Sequence, residues 1–105
     1  MKITLEKFIE KLEENDFNYN YNKEENKIEI GVISPEGQDF WFTIDCDDIL
    51  GNLYDYIEDF DADAETYIWL DSDGHGTNGA PYHMRDVLDD MEAVHDMIKD
   101  FYDSL

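Results

Sequence analysis

Between Ile28 and Met84 the chain has no lysine and no arginine, although 14 of those 57 residues are Asp or Glu. Nucleic acids and anionic membranes are bound through Lys and Arg surfaces, so neither is expected as a direct ligand. Cysteine is nearly missing as well. Cys46 stands alone, which rules out an internal disulfide and fits a reducing compartment. No apolar run approaches the ~20 residues of a membrane-spanning helix. The opening stretch Met1–Lys7 lacks a leader pattern, so a cytoplasmic location is expected. Repeats, low-complexity tracts and linkers are absent, which leaves one domain over residues 1–105.

What the chain does contain is a core and a large excess of acid. Hydrophobic residues make up 42% and aromatics 14%, enough to place it among globular chains. At 105 residues it can bury roughly two thirds of its unfolded surface without metals or disulfides. The net charge is −21, divided as −2 for residues 1–27, −14 for 28–84 and −5 for 85–105. Such self-repulsion costs stability and calls for a reason outside the fold.

Periodicity predicts an α+β order. Thr4 can cap a helix carrying Leu5, Phe8, Ile9 and Leu12 at helical spacing, ending near Glu14–Asp16. Phe17, Tyr19 and Tyr21 alternate with asparagines as a half-buried strand. Ile28, Ile30 and Val32 make a second strand, and Gln38–Asp45 a third with Phe40, Phe42 and Ile44 on one face. Lys23–Asn26 and Ser34-Pro35-Glu36-Gly37 are turns, so the strands form a three-stranded antiparallel meander. A helix follows from Asp47 or Asp48 to Phe60, with Ile49, Leu50, Leu53, Ile57 and Phe60 inward; Gly51 within it costs about 1 kcal/mol relative to Ala. Residues 61–70 read as helix or strand, with helix favoured. Asp71–Ala80 has loop composition, and Pro81 opens a long last helix that turns Val87, Met91, Val94, Ile98, Phe101 and Leu105 inward. Two or three C-terminal helices are therefore expected.

The acids have a pattern. From Asp45 to Glu65, nine carboxylates are interleaved with large apolar and aromatic side chains, unlike a disordered acidic tail. On the last helix, Asp86, Asp89, Glu92, Asp96, Asp100 and Asp103 share the face opposite the apolar stripe, although like charges at i,i+4 destabilise a helix by roughly 0.2–0.5 kcal/mol per pair. Carboxylates three or four residues apart on a helix have β-carbons about 5–6 Å apart, and phosphates on one DNA strand are spaced at about 3.4 Å of axial rise. Rows of acids on a rigid helix can thus stand in for a row of phosphates. The expected partner is a basic nucleic-acid-binding protein such as a nuclease. The candidate contacts are Asp47, Asp48, Asp55, Glu58, Asp59, Asp61, Asp63 and Glu65, with Asp71 and Asp73 at the edge and Tyr54 as an aromatic anchor. A merely solvated face or a salt-adapted composition is the competing reading. Five lysines in the first 27 residues and abundant Ile, Phe and Tyr fit the latter poorly.

Other chemistry finds little support. Asp71, Asp73 and Gly76 resemble the start of a calcium loop, but Tyr82 stands where the bidentate Glu is required. His75, His83 and His95 make no zinc spacing with Cys46. Asp45, Asp47 and Asp48 disfavour the Cys46 thiolate, the reverse of an activated nucleophile. No two carboxylates stand out as an acid–base pair. The expectation is a protein that is not an enzyme and carries no metal or cofactor. Arg85, the one cation between Ile28 and Ile98, is expected to fork onto a carboxylate such as Asp61 or Asp63.

The helix–three strands–helix order resembles the double-stranded RNA-binding domain. That family's last helix needs a basic face, and here it carries Asp89, Glu92, Asp96 and Asp100. The chain also resembles, in size, charge and element order, the small acidic anti-CRISPR proteins of phages and mobile elements, some of which occupy the site that reads the DNA motif beside a target. Phe60–Trp69, Asn78–Pro81 and Arg85–Ala93 are similar to small acidic proteins of bacterial mobile elements. The resemblance implies inhibition of an RNA-guided or restriction-type nuclease. An immunity protein against a basic nuclease toxin, using Tyr54 and Tyr56 as anchors, and a non-inhibitory acidic adaptor are the alternatives.

Overall fold

Thr4 starts the first element as its sequence suggests: its hydroxyl accepts from the Lys7 amide at 3.1 Å and caps helix α1, Leu5–Glu14. The computed structural model describes residues 2–71 and 84–105. In order these hold α1, strands β1 (Asn18–Asn22), β2 (Lys27–Ile33) and β3 (Asp39–Asp45), then helices α2 (Ile49–Asp59), α3 (Ala62–Asp71) and α4 (Met84–Asp103). The protein is α+β, with an N-terminal helix, a three-stranded antiparallel sheet in the order β1-β2-β3, and three following helices. The expected helix start at Pro81 and the loop after Asp71 lie outside the described residues.

Helix α1 stops where its last carbonyls are claimed from beyond. Phe17 N–H donates to Leu12 C=O (2.9 Å) and Asp16 N–H to Glu13 C=O (3.1 Å), with Asp16 left-handed at φ 60°. Phe17, expected to lead the first strand, is instead consumed by this helix stop, and its ring packs 5.0 Å from that of Phe101. Strand β1 is also more exposed than its alternation suggested. Its two tyrosines keep their hydroxyls at the rim, Tyr19 donating to Glu13 (2.7 Å) and Tyr21 to Asn26 (2.9 Å).

The β2–β3 hairpin turns at Pro35-Glu36-Gly37. Gly37 N–H donates to Ser34 C=O at 2.9 Å, and Gly37 takes φ +85°, which only glycine adopts freely. The register pairs Ile28 with Ile44, Ile30 with Phe42 and Val32 with Phe40, all buried on one sheet face. On the other face Trp41 lies opposite Gly31. A Cβ at position 31 would come within 2.7 Å of the indole, so glycine is what lets the ring lie flat on the strand.

The buried sheet face joins Phe8 and Leu12 of α1, Ile49, Leu53 and Ile57 of α2, and Val87, Met91, Val94, Ile98 and Phe101 of α4 in one core. Phe42 stacks on Tyr56 (4.2 Å, 10°), and Phe60 on His95 (4.7 Å, 4°), whose Nε2 lies 3.0 Å from the Ile57 carbonyl. His95 therefore serves the C-terminal end of α2. Leu50 and Phe60, expected inward, are only half-buried.

Two expectations need correction. Gly51 is not a simple cost within α2. It is the third helical residue, and the capping Asp48 carboxylate lies against the space a Cβ would occupy, so an alanine there would push the cap away. Arg85 makes no ion pair with Asp61 or Asp63; among the described residues the ion pairs are Lys7–Glu10, Lys11–Glu14 and Lys27–Asp45, and Arg85 is exposed. Its place on the outward side of α4 leaves it to solvent.

Candidate functional site

Helix α2 begins with a web of acid-to-backbone bonds. Asp48 accepts from Gly51 N–H at 3.2 Å. Asp47 accepts from Asp48 N–H (3.0 Å) and from the Asn52 amide (2.8 Å), which also donates to the Asp45 carbonyl (2.8 Å). At the next corner Asp61 accepts from Asp63 N–H (3.0 Å) and Ala64 N–H (3.2 Å), which starts α3 as a helix and settles the ambiguity of residues 61–70. Three of the candidate contacts, Asp47, Asp48 and Asp61, thus hold helix N-termini with part of each carboxylate. All three remain exposed.

The others divide by position. Asp55, Glu58 and Asp59 lie exposed on α2, related by i,i+3 and i,i+4, so their side chains are neighbours on one helix flank. Asp63 is exposed on the first turn of α3. Glu65 is half-buried, and burial, with the nearby Asp61 charge, pushes its carboxyl above the ordinary glutamate range. Burial also pushes the Tyr56 phenol well up, with the Glu65 charge adding to it. The Asp71 side chain and Asp73 lie outside the described residues.

Tyr54 is the exposed aromatic that its place off the apolar stripe suggested, at 48% exposure. Its ring sits 6.0 Å from that of Tyr102 on α4, tilted by 51°. The two tyrosines floor a shallow cleft of about 620 Å³ walled by Asp48, Asp55 and Asp103. Asp103 ends α4, so the helix's own negative pole adds to the three carboxylates. Sequence reasoning missed Tyr102 and Asp103 because only the fold brings the end of α4 beside the start of α2. Tyr56 is half-buried, stacked on Phe42 at the edge of the core, and so less open than Tyr54. Trp41 (48% exposed) and Tyr67 (58%) are open, but on other surfaces.

This arrangement offers negative charge and aromatic faces. Burial, then Asp45 and Asp47, raise the Cys46 thiol above its ordinary range, which disfavours the thiolate. Among the described residues no group of three or more His, Cys, Asp or Glu side chains is placed to hold a metal ion, and no helix is long and apolar enough to cross a membrane.

Asp90 was also missed. On the buried side of α4 and only 3% exposed, it accepts from Glu36 N–H of the β2–β3 turn at 3.1 Å. The available signal was an acid at a core-facing position, three residues after Val87 and four before Val94. Compared with family models, curated proteins and solved structures, the chain matches none.

Proposed function

We propose that the protein inhibits a basic nucleic-acid-binding enzyme, an RNA-guided CRISPR nuclease or a restriction-type nuclease, by presenting carboxylates where the enzyme expects phosphates. It would act stoichiometrically, without catalysis or cofactor, in the cytoplasm of a bacterial host. The observation that carries the reading is the exposed flank of Asp55, Glu58 and Asp59 beside the Tyr54–Tyr102 cleft, none of whose acids is ion-paired among the described residues. Rows of unpaired acids on a helix match the electrostatic demands of a groove that neutralises phosphate. Tyr54 supplies the amphipathic surface that interface hot spots favour.

The test is capture of partners from lysates containing candidate nucleases, eluted along a salt gradient. A basic nuclease released by salt and competed by its own guide or DNA is the expected result. The Asp55→Lys/Asp59→Lys double variant should associate at least about tenfold more slowly, as electrostatic steering requires. Inhibition by that variant at the wild-type rate would sink the proposal.

A further inference from the structure

The two edges of the sheet are not alike. Among the described residues no element pairs with the outer side of β1 or of β3. Strand β3 carries Asp39 and Asp45 at its ends, and β2 carries Lys27 and Glu29. Strand β1, Asn18-Tyr19-Asn20-Tyr21-Asn22, is the one strand without a charged side chain, and all of it but Tyr21 is exposed. It has no proline, bulge or lysine, the usual devices that blunt an open edge. In a chain of net charge −21 this is the neutral side, since five of the seven lysines and arginines fall within residues 1–27. The five residues of β1 also read the same in both directions. An antiparallel pairing with a second copy therefore sets like against like, as a two-fold interface demands.

We infer that β1 is the interface of a homodimer, in which two copies join antiparallel about Asn20 and the sheet grows to six strands. In that register Tyr19 lies opposite the partner's Tyr21, Asn18 opposite the partner's Asn22, and Asn20 opposite its own counterpart. The tyrosines share the face of the buried apolar residues, because Tyr19 pairs with Ile30 and Ile30 with Phe42, while Tyr21 pairs with Ile28 and Ile28 with Ile44. Joining the strands makes one apolar row from Phe42 of one copy to the partner's Ile44. The phenol hydroxyls already donate to Glu13 and Asn26, so covering the rings strands no donor. Charge separates the two edges. The same pairing of β3 about Phe42 would set Asp39 against the partner's Asp45 at about 5 Å, twice. Across β1 the first acids within the sheet are the two copies of Glu29, three strand spacings or about 14 Å apart, beyond the ~8 Å screening length at physiological salt. Off the strand ends, Asp16 comes near Lys23 and Glu24 of the partner subunit, one attraction and one repulsion. An edge this short makes a small interface, so the dimer is weak and follows concentration. The inference does not rest on the nuclease reading, since β1 shares no residue with the α2 flank.

The test is sedimentation equilibrium of the whole chain from about 10 µM to about 1 mM, the range in which weak interfaces assemble. The expected result is a dimer fraction that rises with concentration and is larger in about 1 M than in about 0.15 M NaCl, because salt screens the repulsion between copies. Association with a basic nuclease moves the opposite way with salt. At the lower salt, Asn20→Lys sets like charges against each other at the two-fold axis and should weaken dimerisation at least about tenfold, although it lowers the net negative charge. Asn20→Asp should do the same, and an equimolar mixture of the two variants should recover association through opposite charges at that axis. Thr43→Lys, on β3, should leave the dimer unchanged. Position 20 is exposed, and circular dichroism checks that each variant is folded. Three outcomes overturn the inference: a monomer at every concentration in both salts, a dimer indifferent to both Asn20 variants, or a mixture no more associated than either variant alone.

Discussion

Asp16 holds a left-handed backbone that glycine adopts without strain, and it does so at the residue that ends α1. Asp16→Gly should therefore stabilise the protein by about 0.5 kcal/mol, the relief of strain exceeding the greater freedom of glycine in the unfolded chain. Asp16→Ala should destabilise it, and urea unfolding of the two variants checks both signs. Glu65 carries a pH signature. Its carboxyl is raised in the fold, so the folded state binds the proton more tightly than the unfolded chain does. The resulting contribution favours folding below the ordinary glutamate value of 4.5 and is lost as pH rises through the folded value. Glu65→Gln should accordingly raise Tm at pH 7 and give almost no gain at pH 3.5. A gain equal at both pH values, seen by calorimetry, would trace the effect to packing instead of charge.

At the scale of elements, α2 and α4 both end without a basic residue, and their last turns carry Glu58 and Asp59, or Asp100 and Asp103. Acids at a helix C-terminus oppose the helix dipole at about 0.3–1 kcal/mol each. Asp59→Lys and Asp103→Lys should each add stability of that order in thermal unfolding while slowing association with the partner. A surface with no partner would show the first effect without the second. Elements whose signals are local were legible: the Thr4 cap, the Pro35–Gly37 turn, the alternation of β2 and β3, and the apolar stripe of α4. Phe17 was misplaced because alternation with Asn18 resembles a strand, while the bonds that stop α1 are backbone bonds that side-chain pattern does not reveal. Asp90 looked like one more acid on an acidic helix, because its partner Glu36 is 54 positions away. The Tyr54–Tyr102 cleft was hidden for the same reason, being made by two helices distant in sequence. Arg85 had no local signal to place it.

The whole molecule measures 40 × 24 × 22 Å and carries a net charge of −21. In 10 mM salt the screening length is about 30 Å, so nearly every acid feels the others; in 1 M salt it is about 3 Å and only neighbours interact. Thermal stability should then rise from 10 mM to 1 M NaCl by at least about 1 kcal/mol, or roughly 4–8 °C in Tm. A flat or falling Tm would mean that the charge is already balanced within the fold. The sheet gives this repulsion a second role. With the order β1-β2-β3, each outer strand has one edge that no other strand pairs among the described residues, and bare edges of this kind invite a second copy to zip alongside. Strand β3 begins at Asp39 and ends at Asp45, both exposed. Two copies meeting there would press like charges together, so the same repulsion that strains the fold opposes pairing along that edge.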